Sequence, residues 1–291
     1  TALDKARERA GAAALFRQLA LEDIDDPNLH ASLGQLFGEL QDLTRAEQHL
    51  QRYIALRPVL ERKHIAYEQK MARTAQRRGL YAAAVSLYER LLPVSKNKQG
   101  LLFGLAECHL ALGNEADATV RFAEYLAIKP GNHRSLRNVA SAFYRKRFLR
   151  SAAKYYEQLF TRKGQKRAFP WLVDIYTKLG DSNALRSVAR RYVDSSSNEF
   201  AACRDVARYL KVAGLLGDAL PYLSRAVALR PRLRALWEQK LELMLRLKQV
   251  DSADKAIREW INQRSPTADM WVMGAEWMVR YGHDANAKRM L

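Results

Sequence analysis

Residues 99–130 read QGLLFGLAECHLALGNEADATVRFAEYLAIKP. With Gln99 as position 1, Leu102, Leu105, Ala106, Gly113, Ala118, Phe122, Tyr125 and Pro130 stand at positions 4, 7, 8, 15, 20, 24, 27 and 32. The spacing is that of an antiparallel pair of helices, each with one apolar face. Pro130 closes the second helix, because proline cannot continue a helix interior.

The same frame recurs along the chain, and self-similarity at such a period decides the fold before any local reading does. Position 1 falls at Pro27, Ile65, Gln99, His133, Lys166, Phe200, Arg234 and Ala268, in steps of 38, 34, 34, 33, 34, 34 and 34. Position 8 holds Gly34, Ala72, Ala106, Ala140, Ala207 and Ala275, and position 20 holds Ala46, Ala84, Ala118, Ala152, Ala219, Ala253 and Ala287. Position 24 takes a large apolar residue in Leu50, Tyr88, Phe122, Tyr156, Leu223 and Ile257. Small residues at 8 and 20 let paired helices approach, and the bulky residue at 24 fills the space between layers. Pro58, Pro130 and Pro231 at position 32 stop the second helix.

These residues closely resemble the tetratricopeptide repeat. The resemblance implies an all-α fold, a right-handed α-α superhelix of about seven to eight helix-turn-helix repeats, running over residues 1–291 as a single solenoid. Each pair has an apolar face that only its neighbours can cover. One unit departs from the pattern: the repeat from Lys166 carries Val173, Leu185 and Ala189 at positions 8, 20 and 24. Pro170 and Trp171 open its first helix, and a polar loop at 194–198 follows its second. A bend or widening is expected there. The longest step leaves an enlarged connection around Pro58 to Lys63, and Ala12 to Leu21 read as the helix of an incomplete repeat. No initiator Met stands at Thr1 and a helical pattern runs on to Leu291, so the chain reads as a piece of a longer protein.

About half the residues, 48%, are hydrophobic, so a substantial core is available and general disorder is excluded. No run of 18 apolar residues exists that could span a membrane. The 49 basic residues against 31 acidic ones leave a net charge of +18, which attracts anionic surfaces. Cys108 and Cys203 lie in helical patterns several repeats apart, as small buried side chains and not as a disulfide.

No Gly-rich phosphate loop, G-x-S-x-G elbow or H-E-x-x-H helix is present. His30, His49, His64, His109, His133 and His283 are scattered singly, with no metal-ligand spacing and no cofactor motif. His109, at position 11, is expected as a buried, hydrogen-bonded imidazole. The expected reading is a binding protein and not an enzyme.

In tetratricopeptide arrays the inner wall comes from the first helix of each repeat, chiefly positions 2, 5, 9, 12 and 13. Carried onto this sequence, those positions include Gln69, Arg73, Gln76 and Arg77 in the second repeat. They include Phe103 and Leu110 in the third, and Arg134, Arg137, Ser141, Tyr144 and Arg145 in the fourth, with Asn138 beside them. The fifth contributes Arg167, Asp174 and Lys178, and the sixth Arg204, Arg208 and Lys211. Glu238, Glu242 and Glu276 turn the wall acidic toward the C-terminus. The candidate partner-binding set is therefore Arg73, Arg77, Arg134, Arg137, Asn138, Tyr144, Arg145, Arg204, Arg208 and Lys211. Arginine suits that role because its planar fork pairs with carboxylate or phosphate through two parallel hydrogen bonds.

A second basic zone, Phe143 to Arg167, carries nine Lys or Arg against the single acid Glu157. Phe143 and Tyr156 there are expected in the core. Position 9 reads Gln35, Arg73, Glu107, Ser141, Asp174, Arg208, Glu242 and Glu276 with no Asn, so the carboxylate clamp of chaperone-binding arrays is absent. Only Asn138 occupies position 6 as asparagine, so the asparagine ladder of certain glycosyltransferases is absent too.

The resemblance then implies an interaction scaffold whose basic groove takes an acidic or amphipathic segment of another protein. With the Arg- and Ala-rich composition, it suggests a bacterial envelope or polysaccharide-export assembly, in periplasm or cytoplasm. The alternatives are direct binding of an anionic polymer, nucleic acid or acidic polysaccharide, and the docking arm of a larger enzyme.

Overall fold

A computed structural model describes residues 25–161, 166–262 and 268–289, together with Gly11 and Ala14. The helix expected over Ala12 to Leu21 lies outside that set, Ala14 excepted. Among the described residues the regular structure is sixteen α-helices and two short 3-10 turns, with no strand.

The chain divides into two compact units, the first ending at Ala152 and the second beginning at Ala153. The first unit contains α1 (Pro27–Glu39), α2 (Leu43–Leu56), α3 (Ile65–Arg78), α4 (Tyr81–Leu91), α5 (Lys98–Ala111), α6 (Glu115–Ile128) and α7 (His133–Arg145). The division falls within α8 (Leu149–Phe160). The second contains α9 (Phe169–Leu179), α10 (Ser182–Asp194), α11 (Glu199–Val212), α12 (Leu216–Leu229), α13 (Arg234–Arg246), α14 (Val250–Asn262), α15 (Ala268–Arg280) and α16 (Asp284–Lys288).

Helices begin at Pro27, Ile65, His133, Arg234 and Ala268, where the repeat frame starts, and at Lys98 and Glu199, one residue earlier. The degenerate unit starts its frame with a 3-10 turn, Lys166–Ala168, before α9. Helices α2, α6 and α12 end at Leu56, Ile128 and Leu229, each two residues before its proline. Side-chain caps open many helices: the Asp42 carboxylate accepts from Arg45 N at 3.2 Å, and Asn132 Oδ1 from Arg134 N at 2.9 Å.

One device makes every turn between paired helices. Position 15 is left-handed in all eight repeats: Gly79, Gly113, Gly180, Gly214 and Gly282, but also Gln41, Arg147 and Lys248. In each, the amide at position 16 donates to the carbonyl at position 11, as Asn114 does to His109 at 2.9 Å and Phe148 to Phe143 at 3.0 Å. That bond satisfies a carbonyl the helix end would otherwise leave open and reverses the chain in two residues.

The small positions do what close approach requires. A Cβ on Gly34, at position 8, would stand 2.7 Å from the Leu50 side chain and 3.2 Å from the Ala46 carbonyl oxygen. Positions 8, 20 and 24 of one repeat therefore meet at a point. All seven alanines at position 20 are buried, as are the six large residues at position 24. In the degenerate repeat Val173, Leu185 and Ala189 are equally buried, so large side chains at 8 and 20 are matched by a small one at 24.

Two expectations are corrected. His109 is buried as expected, but among the described residues its Nδ1 makes no hydrogen bond, and an Asp117 carboxylate oxygen is 3.9 Å away. Leu110 is also buried and so stands on no open wall. Cys108 and Cys203 are buried free thiols, and Phe143 and Tyr156 are core residues, as the frame requires.

Candidate functional site

Five cations of the first unit surround a cavity of about 780 Å³. Lys70, Arg73 and Arg77 reach it from α3, where spacings of three and four put them on one face. Arg145, in the last turn of α7, and Lys146, its C-cap, come from the other side. Cations at these helix ends are locally stable because they face the negative end of the helix dipole. One carboxylate, Glu107 of α5, faces the five cations.

A hydrogen-bond chain runs along the cavity floor through four helices. Tyr88 of α4 donates its hydroxyl to Gln76 Oε1 at 2.7 Å, and Gln76 Nε2 donates to Glu107 Oε2 at 3.1 Å. Arg145 Nη2 completes it by donating to Glu107 Oε1 at 2.7 Å. The Lys146 ammonium sits 5.3 Å from the centroid of the Tyr81 ring, and Arg77 donates to Thr74 at 3.4 Å. Lys70 and Arg73 are exposed and make no ion pair among the described residues. Burial, and then Glu107, push the neighbouring Cys108 thiol up to about 12, so it is no nucleophile at neutral pH.

A second, polar cavity of about 470 Å³ lies on the same helices. Arg134 and Asn138 of α7 line it with Phe103 of α5 and Lys129, and the Phe103 and Tyr125 rings touch at 5.2 Å between centroids. Phe103 and Glu107 are one turn apart on α5, and Asn138 and Arg145 two turns apart on α7, so both cavities occupy one continuous face. Arg137 is exposed on α7 and lines neither cavity; Tyr144 is half-buried and also lines neither.

The second unit holds its cations differently. Lys211 of α11 donates to Glu242 of α13 at 2.7 Å, Arg204 reaches Asp205 at 3.4 Å, and Arg208 lies 4.6 Å from the Tyr209 ring centroid. Glu238, Glu242 and Glu276 gather around a cavity of about 450 Å³, but Glu238 is already paired with Arg234 at 2.7 Å. Arg204, Arg208 and Lys211 therefore lie against carboxylates or rings of their own unit.

Within the basic zone, Glu157 is fully engaged by its own unit. Arg191 Nη2 donates to both its oxygens at 2.7 Å, and Tyr176 donates at 3.0 Å. Arg147, Arg150 and Lys154 are exposed, while Arg162, Lys163 and the Lys166 side chain lie outside the described residues.

Of the residues proposed from the sequence, Arg73, Arg77 and Arg145 come together at one cavity and Arg134 and Asn138 at the next. The sequence put Gln76 and Glu107 on the inner wall without a role, counted Lys146 only within the basic zone from Phe143 to Arg167, and did not mark Lys70 or Tyr81. Lys70 had a usable signal, three residues before Arg73 on the same helix. The pairing of Lys146 with Tyr81 had none, because it exists only once α4 and the end of α7 meet. Among the described residues no three His, Cys, Asp or Glu side chains gather as a metal site, and no helix is long and apolar enough to cross a membrane.

Residues 70–133 match the tetratricopeptide repeat family. No curated protein sequence matches the chain. Among solved structures it is similar to a tetratricopeptide repeat protein from Parabacteroides merdae, at 16% identity over 78% of this chain and 91% of that one, with a TM-score of 0.38. It is similar to MamA protein at 14% identity over 57% of this chain and 91% of that one, with a TM-score of 0.37. A third is the C-terminal part of a repeat-containing protein from Cytophaga hutchinsonii, at 13% identity over 80% and 95% of the two chains and a TM-score of 0.37. Tetratricopeptide arrays generally mediate protein–protein interaction and are typically non-catalytic. The family match is confined to residues 70–133, and the same frame is repeated on both sides of it in paired helices.

Proposed function

We propose that the protein is an interaction scaffold whose α3–α5–α7 face binds an acidic segment of another protein and carries out no catalysis itself. The observation that carries this is the imbalance at one cavity: five cations meet a single carboxylate, and among the described residues Lys70 and Arg73 make no ion pair. Desolvating unpaired cations is unfavourable until an anion arrives, so such a cavity favours anionic ligands over neutral ones. The second cavity, one turn along, adds an aromatic pair and amides that suit backbone and apolar contacts of the same segment. A bacterial envelope or polysaccharide-export assembly is the setting proposed from the resemblance.

The test is fluorescence anisotropy with a fluorescein-labelled hexaglutamate peptide at several salt concentrations. Wild type should bind, and Arg73→Glu with Arg77→Glu should abolish binding. Lys211→Ala should leave it unchanged, because that ammonium is held by Glu242. Absence of binding by wild type at low salt would overturn the proposal. Tighter binding of single-stranded DNA than of the peptide, with a steep salt slope, would replace it with the polymer reading.

A further inference from the structure

Glu107 sits where an incoming carboxylate would be expected to sit. Its side chain is only 26% exposed, and both oxygens are taken: Oε2 by Gln76 Nε2 at 3.1 Å and Oε1 by Arg145 Nη2 at 2.7 Å. Neither donor is loosely placed. The Tyr88 hydroxyl, on a ring that is 2% exposed, holds Gln76 Oε1 at 2.7 Å, so the amide must turn its NH₂ toward the cavity. Arg145 comes from α7, two repeats away from α3 in the chain. A neutral amide and a guanidinium on different helices, aimed at the two oxygens of one carboxylate, form a receptor for that group. In the free protein the chain's own glutamate fills it.

We propose that Glu107 is an internal competitor for the acidic partner, and that a partner carboxylate reaches Gln76 and Arg145 by displacing it. This rests on the cavity being the binding site. With Glu107 in place, one of the five cations is neutralised and a negative charge stands in the path of the ligand. Lys70, Arg73, Arg77 and Lys146 then make the first encounter, and Arg145 is released only to a ligand that outcompetes Glu107. The device would reject weakly acidic segments and admit those with several carboxylates, which is specificity by repulsion as well as attraction.

The test uses Glu107→Gln, which keeps shape and removes charge, with the labelled hexaglutamate peptide as probe. The expected result is binding about tenfold tighter than wild type at low salt, the gain shrinking as salt is added. Arg145→Ala should cost little in the wild-type background, where the guanidinium is occupied, yet should erase the gain in the Glu107→Gln background. Unchanged or weaker binding by Glu107→Gln, with an unaltered thermal melt, would overturn the inference and leave Glu107 as a support for Arg145. A destabilised melt is resolved by Glu107→Ala: equal loss of stability with tighter binding still supports competition, and weaker binding refutes it. If wild type binds no peptide at all, the proposed function itself fails; if it binds and Glu107→Gln matches it, only the present inference does.

Discussion

The ring of Tyr88 lies directly over Gly104: a Cβ on that glycine would stand 2.8 Å from both Cζ and the hydroxyl oxygen. The ring cannot simply swing away, since it is buried and its hydroxyl is bonded to Gln76. Alanine normally improves a helix interior by about 0.5–1 kcal/mol over glycine. Overpacking here works against that, at about 1–3 kcal/mol. Gly104→Ala should therefore lower unfolding stability by about 1 kcal/mol in urea denaturation. A stabilised variant would mean that the ring tilts freely and does not fix Gln76.

Three of the left-handed turns are made by residues with a side chain. Gln41, Arg147 and Lys248 sit at φ of 62°, 63° and 59°. The left-handed conformation costs an L-residue roughly 1–2 kcal/mol, and glycine gives back part of that relief through unfolded-chain entropy. Lys248→Gly, at a position that is exposed and makes no ion pair among the described residues, should raise stability by up to about 1 kcal/mol. Gly113→Ala, at φ 84°, should lower it by a similar amount. Thermal melts of the two variants should move in opposite directions.

Glu68 is completely buried and accepts from the Tyr53 hydroxyl at 3.0 Å and from Arg90 Nη2 at 3.1 Å. Arg90 in turn donates to the carbonyls of Ile54 and Arg57, fastening the end of α2 beside the enlarged connection. Glu68→Ala leaves a half-buried guanidinium without its counter-charge and should cost about 3 kcal/mol, the low end for a buried pair. Adding Arg90→Met should restore part of that loss in urea denaturation. No recovery would mean that the carbonyl bonds of Arg90 matter more than its charge.

His30 and His49 face each other with their Nδ1 atoms 2.9 Å apart, and His49 stacks on Phe37. Burial, then His30, then Arg45 hold the His49 imidazole below its ordinary value. The unfolded chain therefore binds more protons than the native one over that interval, and stability rises with pH across it. Stability should be complete above about pH 7 and fall as pH drops through roughly 6.5 toward the lower native value. His49→Gln should flatten the melting temperature between pH 7 and 5. An equally steep decline in that variant would place the sensitivity elsewhere.

Much of this protein could be read without its structure, because its information is local and repeated. A period of 34 with small residues at 8 and 20 and a large one at 24 states which side chains must touch, and Gly34, Ala46 and Leu50 touch as stated. Prolines at position 32 set helix ends to the residue. The turn was legible only where it is glycine; Gln41, Arg147 and Lys248 adopt the same geometry because the bond from position 16 to position 11 imposes it.

The candidate site was half legible. Helical spacing puts Arg73 and Arg77 on one face of α3, and a repeat frame puts Arg145 on the corresponding face of α7. Which of the many arginines remain available is a different question, settled by pairs distant in sequence. Lys211 is held by Glu242, Arg191 by Glu157 and Arg145 by Glu107, across separations of 31, 34 and 38 residues. The sequence by itself determined the helices, their pairing and the positions of close approach, since each follows from a pattern inside one repeat. Only the tertiary structure decided where charge is left unbalanced, because an ion pair depends on how one repeat's face meets the next, and that distance is set by packing and not by spacing along the chain.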